Sequence, residues 1–356
     1  MRFTPLLFAP LLASCAGSEP PTPSDWTLDI LEASAGFSLR VPAFEVPAGA
    51  EYQNCYFVQV PDLDAGKEVW VNRVHTAINP GSHHLNVFRV KTVKELGPAM
   101  GAAVKLGELD GMAAEGKDQV THPCWKSANW SDWPLVANSQ NSNPNDPYTD
   151  WTLPTDVAIR MTPGEWLMIQ VHYVNTTSQP TPNGAKVGIN FHRYSGANPQ
   201  ELGTLFATQQ SIRVCRSNPS PSYEGTCKFP SGSVTVTAAN GHFHRRGEKF
   251  TISSWDGTSE THPETAAQFY ESKSWDEPPM TRDLSIAIPA GGGIWWDCQY
   301  KWREPVGISC DDVDKKDASG ANDCCYTFGG NTELSEHCNV FLYYWPKVES
   351  TDVFCN

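Results

Sequence analysis

SGSVTVTAANGHFH, residues 231–244, decides how this chain is read. Valine alternates with threonine and small residues, and the run then enters Asn240-Gly241-His242-Phe243-His244. β-Branched residues at a two-residue period mark a strand rather than a helix. Side chains two apart on a strand share a face, so His242 and His244 stand together and aim at one spot. Two neutral imidazoles on a stiff element form a metal-ligand pattern, since imidazole suits copper, zinc, iron and nickel.

The same patterning recurs outward from that stretch. EYQNCYFVQVP (51–61), KEVWVNRVHTAIN (67–79), HHLNVFRV (83–90), DVAIRM (156–161), EWLMIQVHYVN (165–175) and AKVGINFHRY (185–194) read as strands of a first half. LFATQQSIRV (205–214), KFTISSW (249–255), DLSIAIPAGGGIWWDCQYKW (283–302) and HCNVFLYYWPKV (337–348) continue the style in a second half. Residues 95–150 read as loop-rich, with NSQNSNPNDP (138–147) the least structured. Glycine and proline number 27 and 28, and long helical patterns are scarce. At 356 residues the chain exceeds one modest core. The expectation is an all-β protein of two tandem antiparallel β-sandwich, jelly-roll-like domains, 26–195 and 203–356, joined through SGANPQELG (195–203).

Charge and cysteines narrow the function classes. A net charge of −14 argues against nucleic acid and against docking on anionic lipid, both of which want the opposite sign. The N-terminus, MRFTPLLFAPLLASCAGSEPPTPSD, combines one arginine, a short apolar run and small residues, and reads as a signal peptide over 1–15. Leu12-Ala13-Ser14-Cys15 resembles a bacterial lipobox, with Cys15 the lipidated residue and 16–25 a tether; the alternative is an ordinary signal peptide with Cys15 incidental. The expected location is exported and lipid-anchored in a bacterial envelope, at the outer membrane, with membrane contact through that anchor alone. Eleven cysteines in an exported chain read as disulfides, and ten remain if Cys15 carries lipid, enough for five bridges. No C-x-x-C pair occurs, which disfavours a zinc ribbon.

Ten histidines are present, among them one H-H pair, His83-His84, and one H-x-H pair, His242/His244. For His75, His122, His192 and His262, taken singly, the plain reading is a surface or hydrogen-bonded histidine. For the two pairs the metal reading is preferred. In EWLMIQVHYVN, period two puts His172 on a face with Trp166, Met168 and Gln170, opposite Leu167, Ile169 and Val171.

The ordered set GSHHLNVF, LMIQVHYVN, NGHFHRRG and WWDCQY…SEHCNVFLYYWP resembles the type II copper, ascorbate-dependent monooxygenases, the family of peptidylglycine α-hydroxylating monooxygenase and dopamine β-monooxygenase. The resemblance covers most of the chain after the leader, and QVHY and CN…YY match that family almost letter for letter. It implies two copper ions, held in separate pockets. His83, His84 and His172 would ligate the electron-passing copper; His242, His244 and His337 would hold the oxygen-activating one. It also implies ascorbate or a similar reductant, dioxygen and a small-molecule substrate as partners. Three disulfides follow from it as well: Cys55–Cys124, Cys227–Cys355 and Cys298–Cys338. Cys215, Cys310, Cys324 and Cys325 have no family counterpart and stay unassigned.

This sequence departs from the family at informative places. His337 stands where the family has a methionine, a harder donor in place of a thioether that favours Cu(I). Asn240 and Phe341 replace the arginine and tyrosine that grip a peptide carboxylate in amidating members, while Asn339 is kept. Losing a charge-assisted clamp costs about 2–4 kcal/mol of carboxylate recognition, which disfavours glycine-extended peptides. Trp295, Trp296, Phe341 and Tyr343 around the expected site point to an apolar or aromatic substrate, though such tryptophans more often belong to a core. Three functions follow: a copper monooxygenase hydroxylating a C–H bond; an envelope copper-binding or electron-transfer lipoprotein on the same scaffold; and, ranked last for want of a general base beside the ligands, a zinc hydrolase. The acidic DDVD (311–314) lacks a full calcium loop and reads as a solvated turn.

Overall fold

A computed structural model of the chain describes residues 26–41, 43–79, 81–90, 113–114, 134–139, 146–175, 177–180, 186–276, 278–307, 309–310, 320, 322–348 and 352–356. The architecture is all-β, as expected, and made of sheets packed face to face. The expected leader, Cys15, the tether, Cys124, His122 and the DDVD turn lie outside the described residues.

Two sheets build the first half. One aligns Gly36–Val41, Val187–Arg193, Val69–Ile78 and Val157–Met161, with Tyr148–Thr152 also on Val69–Ile78. The other runs Glu51–Gln59, Trp166–Val174, Ser82–Arg89 and Leu135–Ser139, all antiparallel. Strand Leu135–Ser139 and the start of Tyr148–Thr152 fall in the stretch read as loop-rich, where neither was expected as a strand; both gain their ladder from non-local partners, which local turn residues do not reveal. The second half pairs Gly203–Thr208, Asn339–Trp345 and Val234–His242 in one sheet, and Ser222–Lys228, Gly293–Tyr300, Gly247–Trp255 and Gln268–Ser272 in another.

The sheet holding Asn339–Trp345 is buried on both faces. Leu205, Ala207, Val236, Ala239, Val340, Leu342 and Tyr344 enter the second core. Phe206, Ala238, Phe341 and Tyr343, on the opposite face, enter the first core. The halves therefore share packing instead of touching through a wet interface. Tyr343 contacts the Trp151 ring at 4.7 Å between centroids, and its hydroxyl donates to Asn138 Oδ1 at 2.8 Å.

Four disulfides occur among the described residues: Cys227–Cys355 and Cys298–Cys338, as the resemblance implied, and Cys215–Cys325 with Cys310–Cys324, which pair the unassigned cysteines. Cys55 is also disulfide-bonded. This chemistry fits an oxidising compartment. No helix among the described residues is long and apolar enough to cross a membrane.

Candidate metal centre

Each histidine-bearing strand sets its rings by a local device. Along Trp166–Val174 the alternation holds: in the flanking ladders His172 opposes His84, Gln170 opposes Asn86, and Met168 opposes Phe88. Facing residues of an antiparallel pair point to one side, so His84 and His172 meet, 4.8 Å between ring centroids. Adjacent His83 would normally point away. The register shifts between Ser82 and His84, a bulge that lets both rings of the H-H pair serve one chamber. Gly81, at φ +89°, leads into it; a Cβ there would sit 2.6 Å from the Tyr173 hydroxyl.

In the second half, Val234–His242 pairs with Asn339–Trp345 so that His242 faces Asn339 and Asn240 faces Phe341. Gly241 lets the Phe250 ring pack against the backbone, since a Cβ would lie 2.5 Å from Phe250 Cδ1. His244 lies beyond the strand end, in a turn held by Glu336: its two carboxylate oxygens accept from the backbone N–H groups of His244 (3.0 Å) and Arg246 (2.8 Å). Arg246, wholly buried, reaches Glu333 at 3.0 Å and covers the Tyr326 ring. Next in the chain, His337 is fixed by its neighbour's bridge, Cys298–Cys338, and by Tyr300, whose hydroxyl donates to the His337 carbonyl.

All six histidines are buried, and they converge on one place. His242, His244 and His337 offer ligand nitrogens within 4.8 Å of one another, as grouped from the sequence. The first-half group differs. His83 and His84 group within that span with His242, and His172 is not a member of the group. His172 instead donates from Nε2 to Glu51 at 2.7 Å, although its ring stays 5.1 Å from His83 and 4.8 Å from His84. The expected pair of separate pockets is thus corrected to a single continuous cluster, because the shared core draws the two histidine-bearing sheets together.

The hydrogen-bonded nitrogens fix which ones stay open. His84 Nε2 donates to Gln170 Oε1 at 3.2 Å; Asn86 donates to the same oxygen, which settles the amide's orientation. His244 Nδ1 donates to the Ser335 carbonyl at 3.1 Å. Left buried without a hydrogen-bond partner are His84 Nδ1, His172 Nδ1, His242 Nδ1, His244 Nε2 and both nitrogens of His83. One such group costs about 1–3 kcal/mol, and so many in one place is a donor set that fits a metal.

The electrostatics agree with ligation. Burial, and then the neighbouring imidazoles, hold His83, His84, His242 and His337 well below the usual histidine range. His244 falls to about 4, again chiefly by burial. These rings are neutral at pH 7, with lone pairs to give. Glu336 is pushed up to about 8 by burial against the pull of Arg246 and the backbone donors. Burial pushes Glu51 upward too, but the His172 hydrogen bond and charge outweigh it and its pKa is lowered.

Other sequence candidates divide. Phe341 lies 6.3 Å from His242, ring to ring, and Asn240 and Asn339 are buried beside that histidine. Asn240 Nδ2 donates to the Pro279 carbonyl at 3.0 Å. Trp295, Trp296 and Tyr343 do not line the cluster: Trp296 belongs to the second core, Trp295 meets Trp255 and His262, and Tyr343 packs between the halves. Period two puts these rings on strands but cannot say which layer covers them. The aromatic neighbours that do occur are Trp275, 5.9 Å from His83, and Phe328, 4.8 Å from His337. Neither was singled out in the sequence, and neither was Glu51 or Glu336. Gln170, two before His172, was legible as a same-face neighbour; Glu336 stood next to His337.

His75 and His192 lie on the other first-half sheet, and His262 is exposed, so all three stand apart from the cluster. A cleft of about 530 Å³ lined by Trp70, Tyr194, Arg193 and Asp64 holds none of the histidines.

No family model and no curated protein matches the chain. Among solved structures, the N-terminal CBM22-1-CBM22-2 tandem domain of Xyn10C from Paenibacillus barcinonensis is similar at 11% identity, over 88% of this chain and 84% of that one, with a TM-score of 0.14. A likeness at that score carries no argument about this protein.

Proposed function

We propose that this chain is an exported copper-dependent monooxygenase that hydroxylates a C–H bond of a small apolar or aromatic substrate, using dioxygen and an ascorbate-like reductant. The observation that carries the reading is the buried convergence of His83, His84, His172, His242, His244 and His337, with nitrogens of His83, His84, His172, His242 and His244 left without a hydrogen-bond partner. Copper held there would supply the redox and oxygen-activating chemistry; the chain supplies neutral donors, fixed orientations and exclusion of water. Gln170, Glu51 and the Ser335 carbonyl each take one ring N–H and so present the other nitrogen inward. Asn240, Asn339 and Phe341 beside His242 offer neutral polar and apolar contact for a substrate, with no cationic clamp at position 240. Lipidation at Cys15 would hold the protein on a bacterial outer membrane.

The test is oxygen uptake by the copper-loaded chain with ascorbate while hydrophobic amines and alcohols are screened. Hydroxylated product, with uptake well above that of the same copper free in solution, is the expected result; uptake equal to free copper sinks the proposal.

His337 favours one second reading, an envelope copper-binding or electron-transfer lipoprotein, because an imidazole stands at that position where the resembled family has a thioether. His337→Met separates the two. Turnover gained by the variant and lacking in the natural protein supports the binding reading; turnover lost supports the enzyme.

A further inference from the structure

We infer that the six histidines build one dinuclear copper centre spanning both halves, not two remote mononuclear sites; this rests on the copper reading above. Rings from different halves approach as closely as rings within one half. His83 lies 4.8 Å from His242 and 5.7 Å from His244, and His84 lies 5.3 Å from His242. Within the halves, His83–His84 is 5.4 Å and His242–His244 is 5.3 Å. No layer of other side chains separates the two groups, and His242 is a member of both.

His83 is the pivot. Both its nitrogens are buried and without a hydrogen-bond partner, and four other histidine rings stand within 5.7 Å of it. A histidine serving a site confined to its own half would show its second nitrogen to a carbonyl, an amide or a carboxylate, as His84, His172 and His244 do.

The approach of the halves is fastened at several points. Glu51 of the first half accepts from Thr332 of the second, through the backbone N–H at 3.2 Å and the hydroxyl at 2.9 Å, on the same carboxylate that takes the His172 proton. Tyr343 bonds Asn138 across the junction, and Phe206, Ala238 and Phe341 sit in the first core. Parting the histidine groups would expose that packing, so proximity is a property of the fold.

Two cupric ions in such a chamber each carry one unpaired electron, and neighbouring spins perturb each other where distant ones do not. The full chain is loaded with Cu(II), freed of excess metal, and measured for copper per chain and by electron paramagnetic resonance with spin integration. The expected result is two coppers per chain with a half-field transition and dipolar broadening, or with an integrated spin well below two. His83→Ala should then hold one copper on His242, His244 and His337, giving a single narrow one-spin signal. Two coppers with two full, unbroadened spins overturn the shared centre while leaving the copper reading intact, as does one copper per natural chain. No copper retained overturns both. If His83→Ala fails to fold, the spectrum of the natural protein alone decides.

Discussion

The two histidine groups differ in how firmly they are held. In the second half, His244 and His337 flank a framework of buried Glu336, Arg246 and Tyr326 with half-buried Glu333, and a disulfide begins one residue after His337. In the first half, His83 owes its direction to a bulge, and His172 is tied to Glu51, itself fastened to Thr332 across the junction. One group is braced within its own half; the other is braced partly by the half beside it. The lesson is that the first-half ligands depend on closure of the molecule and the second-half ligands do not.

The strongest challenge to this contrast is His242, which belongs to both groups. His242→Ala should weaken copper binding by more than about 100-fold, beyond the 10–100-fold that loss of a supporting residue brings. Both coppers should be affected, as read by competition with a chromophoric chelator. His84→Ala should weaken one copper only. If the two variants lose the same single ion, the groups are not joined through His242.

Bracing of the second half is tested by Cys298→Ser with Cys338→Ser. The bridge closes a 40-residue separation, which chain entropy values at about 4 kcal/mol of stability at 25 °C. Urea unfolding of the metal-free variant should show a loss of that order, with copper affinity falling first at the second-half group. A loss below about 1 kcal/mol, with both affinities unchanged, means the disulfide does not hold His337.

Much of this was legible in the residues, and the limits are physical. Period two located most strands and put His172, Gln170 and Met168 on one face, because alternation is a property of the strand alone. H-x-H brought its two rings together as read, although His244 lies beyond the strand end and owes its place to the Glu336 hydrogen bonds. Alternation does not do this for H-H: side-by-side rings need the bulge at His83, and a bulge is set by a partner strand distant in sequence. The reading also kept the two groups apart, since no local pattern tells that Phe206, Phe341 and Tyr343 face the core of the other half. Glu51 escaped notice because its value lies in reaching His172, 121 residues away, and Thr332, 281 away.

Dependence of the first half on closure is sharpened by Glu51→Gln. The amide keeps the size and can still accept from Thr332, but it takes the His172 proton less strongly without its charge. Copper affinity of the first-half group should drop about 10-fold, the low end for such partners, with the second-half copper unchanged. Equal losses at both would show that Glu51 serves the fold as a whole.

Histidines outside the cluster give the smallest effect and complete the contrast. His75 and His192 share the outer first-half sheet with Arg73, Asp150 and Tyr148. His75 is lowered by burial first and then by Arg73, against Asp150; His192 is lowered by burial, Arg73 and His75, also against Asp150. A histidine whose folded pKa lies below the unfolded value of about 6.5 binds fewer protons when folded. Its contribution to stability is level above that pH and is lost progressively as pH falls from about 6.5 to the folded pKa. Five cluster histidines are shifted in the same direction, so the metal-free protein should lose stability steeply over this range. Copper occupies those nitrogens and removes them from the titration until acid displaces it. Thermal melts of copper-loaded protein from pH 7 down to the onset of copper release should therefore keep only a shallow slope, and His75→Gln with His192→Gln should flatten it further. A steep slope surviving in the loaded double variant would mean that the cluster still titrates with copper present, and that copper is not bound through these imidazoles.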